Sequence, residues 1–173
     1  MAAGNTYVAL ASTTLGSAAA DVTFSSISGA YTDLVLVASM YATTNDSLAY
    51  IQLNSDTGSN YSFTSLFGNG TTAASARNSN NTGMLLLGYD YGIGSTNGVF
   101  APLIANIMNY ANTTTNKTVL ARSSGQRNDG NGQVFANVGL WRSTSAINAV
   151  KIYPSAGNWA IGSTFNLYGI AAA

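Results

Sequence analysis

Tyr31-Thr32-Asp33-Leu34-Val35-Leu36-Val37-Ala38-Ser39-Met40-Tyr41 changes face at every residue when it is read as an extended chain. Successive side chains of a strand point to opposite sides, so Leu34, Leu36, Ala38 and Met40 share one side, and Asp33, Val35, Val37, Ser39 and Tyr41 share the other. Both sides carry apolar residues, which predicts a central strand. Working outward, period-two patterns or short runs of β-branched and aromatic residues recur at 7–11, 22–27, 48–53, 61–67, 84–89, 99–110, 117–123, 134–142, 147–153 and 165–170. Clusters of Gly, Asn, Ser and Thr separate them.

No segment reads as a helix. Residues 72–77 include Ala73, Ala74 and Ala76, but Gly70 precedes them and an Asn-rich run follows, so all of 68–83 is expected to be loop. Further loops are expected at 54–60, 91–98, 112–116 and 124–133, gathered at the ends of the domain. The pattern predicts an all-β, antiparallel β-sandwich of jelly-roll-like kind, forming one domain over 1–173, with residues 1–6 as a flexible N-terminal arm.

Only 7% of the 173 residues are charged, against about 25% in an average soluble protein, while the hydrophobic fraction is 46%. Neutral hydrogen-bonding residues replace the missing charge. The formal net charge is zero and the six Lys and Arg are scattered, so the long-range field that steers proteins to nucleic acid is missing. No apolar run approaches the ~20 residues needed to span a bilayer. Residues 1–12 lack the basic start and apolar stretch of a signal peptide, which places synthesis in a cytoplasm.

The chain has no Cys, no His and no Glu. Thiolate chemistry, imidazole bases and most metal-ligand sets are therefore excluded. Glycoside hydrolysis uses two carboxylates flanking a substrate, and Asp21, Asp33, Asp46, Asp56, Asp90 and Asp129 are separate in sequence. A serine nucleophile would need Lys117 or Lys151 as its base, and Lys151 reads as an outward position on a strand. Asn54, Asp56 and Asn60, like Asn128-Asp129-Gly130-Asn131, bring oxygens together around a single carboxylate, which suits hydrogen-bonded turns better than a calcium loop. The expectation is a non-enzyme without cofactor or metal.

Two constellations remain. Gly88-Tyr89-Asp90-Tyr91-Gly92 is followed by no helix, which removes a dinucleotide loop and leaves Tyr89 and Tyr91 as candidate interface or glycan-contact rings. Arg142, beside Trp141 at the end of an apolar strand, either recognises a partner or is held internally by a carboxylate. Asp33 is the expected counter-ion, because a strand Asp asks for a partner when buried.

Four blocks then carry a family resemblance: 21–37, beginning Asp21-Val22-Thr23-Phe24; 52–62, with Gln52-Leu53-Asn54-Ser55-Asp56-Thr57-Gly58; 110–123, with Tyr110-Ala111-Asn112-Thr113; and 138–170, with Gly139-Leu140-Trp141-Arg142-Ser143 and the ending Gly162-Ser163-Thr164-Phe165-Asn166-Leu167-Tyr168-Gly169-Ile170. In this order they resemble structural proteins of tailed-phage virions, of the marine and cyanobacterial type. Ser28 departs from the proline that relatives often carry. The resemblance implies a jelly-roll-like virion domain at the capsid surface, a decoration or cement protein bound to the major capsid protein as a homotrimer. A tail or head fibre module that contacts host surface glycans is the alternative it leaves open.

Overall fold

The computed structural model describes residues 6–88, 92–93, 98–126 and 132–171. Among these are twelve strands: β1 (Tyr7–Thr14), β2 (Val22–Phe24), β3 (Asp33–Met40), β4 (Ala49–Leu53), β5 (Tyr61–Gly68), β6 (Ala73–Asn81), β7 (Met84–Leu87), β8 (Ala101–Met108), β9 (Lys117–Gln126), β10 (Gly132–Trp141), β11 (Val150–Pro154) and β12 (Thr164–Ile170). They form an eight-stranded sheet, β1-β12-β3-β8-β9-β10-β5-β6, and a four-stranded sheet, β2-β11-β4-β7. All the described pairings are antiparallel.

From β2 onward the chain keeps changing sheets. β2, β4, β7 and β11 lie in the small sheet, while β3, the β5–β6 hairpin, the β8–β9–β10 meander and β12 lie in the large one. This is jelly-roll connectivity with an extension: β1-β12-β3-β8 and β2-β11-β4-β7 are the two four-stranded sheets, and β9, β10 and the β5–β6 hairpin widen the first to eight strands.

As expected, β3 is interior, flanked by β12 and β8. Its inward residues Leu34, Leu36, Ala38 and Met40 are all buried. They meet Ile51 and Leu53 of β4 and the indole of Trp159 in one core. The four residues of β7 are all buried over the meander. Gly139 of β10 makes room there, since a Cβ would lie 2.5 Å from the Met84 sulfur.

One expected loop is a strand. Residues 73–81 pair with β5 from Ala73↔Gly68 to Asn81↔Tyr61. Their side chains are exposed or half-buried at every position, so an edge strand lying beyond the cover of the small sheet has no apolar face to write into its sequence. Similarly, β9 and β10 extend into the stretch read as loop, to Gln126 and from Gly132. Of the proposed arm, residues 1–5 lie outside the described residues.

Candidate functional site

Residues of β5, β8, β9 and β10 alternate between core and solvent, and the register gathers their outward members on one surface. Leu120 faces Val138 across the β9–β10 ladder. Leu66 faces Ala136, which lies between Val134 and Val138 on β10. On β8, Ile104 and Met108 flank Asn106, the partner of Leu120. Six large apolar side chains thus share the outer face of the wide sheet: Leu66, Ile104, Met108, Leu120, Val134 and Val138, each between 42% and 65% exposed. Scattered exposed hydrophobes are ordinary, whereas a contiguous group marks a binding surface.

Two arginines stand on this face, Arg77 on the edge strand and Arg122 within the group, opposite Ile104 of β8. Arg77 of β6 stands level with Thr64, Val138 and Leu120, and Arg122 of β9 stands level with Ala136 and Leu66. Next to Arg77 the face dips into an open depression of about 650 Å³, whose lining includes Ser62, Thr64, Thr118, Val138 and Leu140.

One end of the sandwich is braced by hydrogen bonds among loops. Asp56 accepts from Trp141 Nε1 at 2.6 Å, from Asn60 Nδ2 at 2.9 Å and from the Gly58 amide at 2.8 Å. The Trp141 bond, offset by burial and aided by Asn60 and Gly58, holds this carboxyl below its usual value of 3.8. The Tyr61 hydroxyl donates to the Leu53 and Asp56 carbonyls and accepts from the Leu53 amide, and burial pushes its pKa up. Its ring stacks on Trp141 at 6.2 Å. Asn54 accepts from the Asn148 and Ala149 amides and donates to the Ala146 carbonyl. Asn54, Asp56 and Asn60, one of the two clusters weighed as a calcium loop, are therefore joints of this brace, and Asn128-Asp129-Gly130-Asn131 lies outside the described residues.

Lys117 completes the brace. It is fully buried, and its ammonium donates to the Thr115 and Thr144 carbonyls at 2.7 and 3.1 Å. Desolvation lowers its pKa. Its two hydrogen bonds join the loops that hold Thr115 and Thr144. Lys151 sits 3.7 Å from Asp21 and over the Tyr153 ring on the half-exposed side of β11.

The structure does not bring Asp33 and Arg142 together. β3 and β10 are three strand positions apart, roughly 14 Å at the usual spacing of neighbouring strands. Asp33 instead accepts from the Asn109 amide at 2.7 Å, capping a turn in which Asn109 has positive φ. Arg142 donates to the Ser59 carbonyl at 2.6 Å and to Asn80 Oδ1 at 3.0 Å. The Asn109 amide satisfies Asp33, and the Ser59 carbonyl with the Asn80 side chain satisfies Arg142, so neither residue needs the other. Tyr89 and Tyr91 lie outside the described residues.

In the core, Ser65 and Asn137 are buried cross-strand neighbours whose Oγ, Oδ1 and Nδ2 atoms lack hydrogen-bond partners among the described residues. Unpaired buried polar groups cost roughly 1–3 kcal/mol each, while apolar replacement of both partners is neutral or better. The double substitution Ser65→Ala with Asn137→Val is expected to raise stability by about 1 kcal/mol, read as a higher urea midpoint at unchanged slope.

Among the described residues no group of three or more His, Cys, Asp or Glu gathers at one place. What the arrangement offers chemically is a sheet face with an apolar strip and two guanidinium groups.

No family model matches this chain, and no curated protein matches it. Among solved structures, the galectin LEC-6 of Caenorhabditis elegans is similar with TM-score 0.41 and 10% identity, over 95% of this chain and 97% of that one. A protein of unknown function from Shewanella oneidensis has TM-score 0.19 and 8% identity, over 100% of this chain and 83% of that one. Neither likeness bears on function; the strands and their pairing define this chain as an antiparallel, jelly-roll-like β-sandwich.

Proposed function

We propose that this chain is a structural subunit of a tailed-phage virion, a decoration or cement protein that lays the outer face of its eight-stranded sheet on the major capsid protein. The observation that carries the reading is the group Leu66, Ile104, Met108, Leu120, Val134 and Val138, large apolar side chains left half exposed on one face of a sheet. The four sequence blocks that resemble virion proteins agree with it. Attachment of many copies adds buried area across capsomer boundaries and holds the shell against the pressure of its genome. In this reading the chain is no enzyme, takes no cofactor and belongs on the capsid surface; a homotrimer would form through other surfaces than this face.

The test is made on virions of the phage that encodes the chain. Quantitative mass spectrometry should find copies on the scale of the major capsid protein, whereas the few copies of a fibre would overturn the capsid assignment. The variant Leu120→Asp with Val138→Lys should lose co-sedimentation with particles while melting within about 1 kcal/mol of the parent, because both side chains are about half exposed and the two new charges are opposite in sign across the ladder. Full occupancy by that variant would exclude this face.

A further inference from the structure

Over β8, β9, β10, β5 and β6, Arg77 and Arg122 are the two charged side chains among the described outward-facing residues, and none of those residues is a carboxylate. Neither arginine has an ion-pair or hydrogen-bond partner among the described residues. Their Cα atoms are three strand spacings apart across the sheet and two residues apart along it, roughly 16 Å from each other by strand geometry. Leu66 of β5 and Val138 of β10 lie between them, and Leu120 adjoins Arg122 on β9.

We propose, resting on the function above, that this face recognises a protein surface carrying an apolar strip and two carboxylates about 16 Å apart, with Arg77 and Arg122 as the residues that set its register. Guanidinium groups bind carboxylates through paired parallel hydrogen bonds, and arginine is enriched in interfaces where lysine is depleted. A second copy of the chain does not fit. Two such faces together would enclose four guanidinium groups without a counter-charge, and uncompensated charge in a dry interface is strongly unfavourable. An anionic bilayer fits less well than a protein, since two cations supply little attraction to a surface of lipid headgroups.

Binding of the purified full-length chain is measured on particles of the encoding phage assembled without it, at low and at high salt. The wild type should bind more weakly as salt rises. Arg77→Gln with Arg122→Gln should weaken binding at low salt by at least about tenfold and flatten the salt dependence, with unchanged thermal melting; Arg77→Lys with Arg122→Lys should restore the salt dependence. Equal binding by the Gln variant and the wild type overturns the proposal and leaves the function standing, while failure of the wild type to bind overturns both. Binding to phosphatidylserine vesicles, or self-association abolished by Leu120→Asp in sedimentation, would also overturn it, in favour of a membrane or of a second copy.

Discussion

Trp159→Ala is expected to lower the unfolding free energy by about 3–5 kcal/mol, the range for removing a large aromatic side chain from a packed core. Trp159 is fully buried and packs against Phe165 at a centroid distance of 5.6 Å. Its indole donates to the Ile152 carbonyl at 3.1 Å, tying the connection after β11 to β11 itself. Its backbone exchanges two bonds with Ala19 before β2, and the next residue donates to the Tyr41 carbonyl just after β3. The indole thus anchors the meeting point of three connections. Trp159→Phe keeps most of the volume and removes the indole bond to the Ile152 carbonyl, so a loss of about 1–3 kcal/mol is expected. Urea unfolding followed by circular dichroism distinguishes the two variants; a loss below that of the Phe variant for Trp159→Ala would show that the site collapses around the cavity.

The second large effect is at Asp56. Asp56→Ala removes the acceptor of the Trp141 indole, which is nearly buried, and frees the Asn60 side chain and the Gly58 amide. Bonds to a charged acceptor are worth roughly 1.5–3 kcal/mol, and the indole bond is the hardest to replace with water, so a loss of about 2–3 kcal/mol is expected. The effect depends on pH. Because folding holds this carboxyl below 3.8, its contribution is fully present above that value and is lost as pH falls through the lower folded value. Stability of the parent should therefore drop faster than that of Asp56→Ala below pH ~4, and the two curves should converge in strong acid. Parallel curves across that window would show that the ionised carboxylate does not carry the brace.

The strands that bury a face were legible because burial imposes alternation. Leu34, Leu36, Ala38 and Met40 could be placed on one side of β3 without any knowledge of what covers them. β6 was not legible, because Ala73, Ser75, Arg77 and Ser79 answer only to water and to β5. The partners of Asp33 and Arg142 escaped for a different reason. A carboxylate in a strand and an arginine at a strand end announce that each needs a partner, but backbone groups in turns can meet that need and leave no mark in composition. Asp56 reads as one more turn residue in Asn54-Ser55-Asp56-Thr57-Gly58; its tie to Trp141, 85 positions away, becomes visible only when β10 lies beside β5. The outer face left a faint signal, since β9 and β10 place Leu120, Val134 and Val138 opposite in parity to the core residues Val119, Phe135 and Trp141. Apolar residues on both faces of a strand mark either a doubly covered strand or a surface waiting for cover.

The pairing of β1 with β12 brings Thr6 and Ala171 within one hydrogen bond of each other, the Ala171 amide donating to the Thr6 carbonyl at 3.0 Å. They meet at the edge of the wide sheet opposite β6. Cargo fused before residue 6 or after residue 171 would leave from the same corner, away from the apolar strip and its two arginines. A short linker across that corner would likewise make the chain a closed ring that could be reopened at a different loop, a rearrangement the fold accepts because its first and last strands already lie side by side.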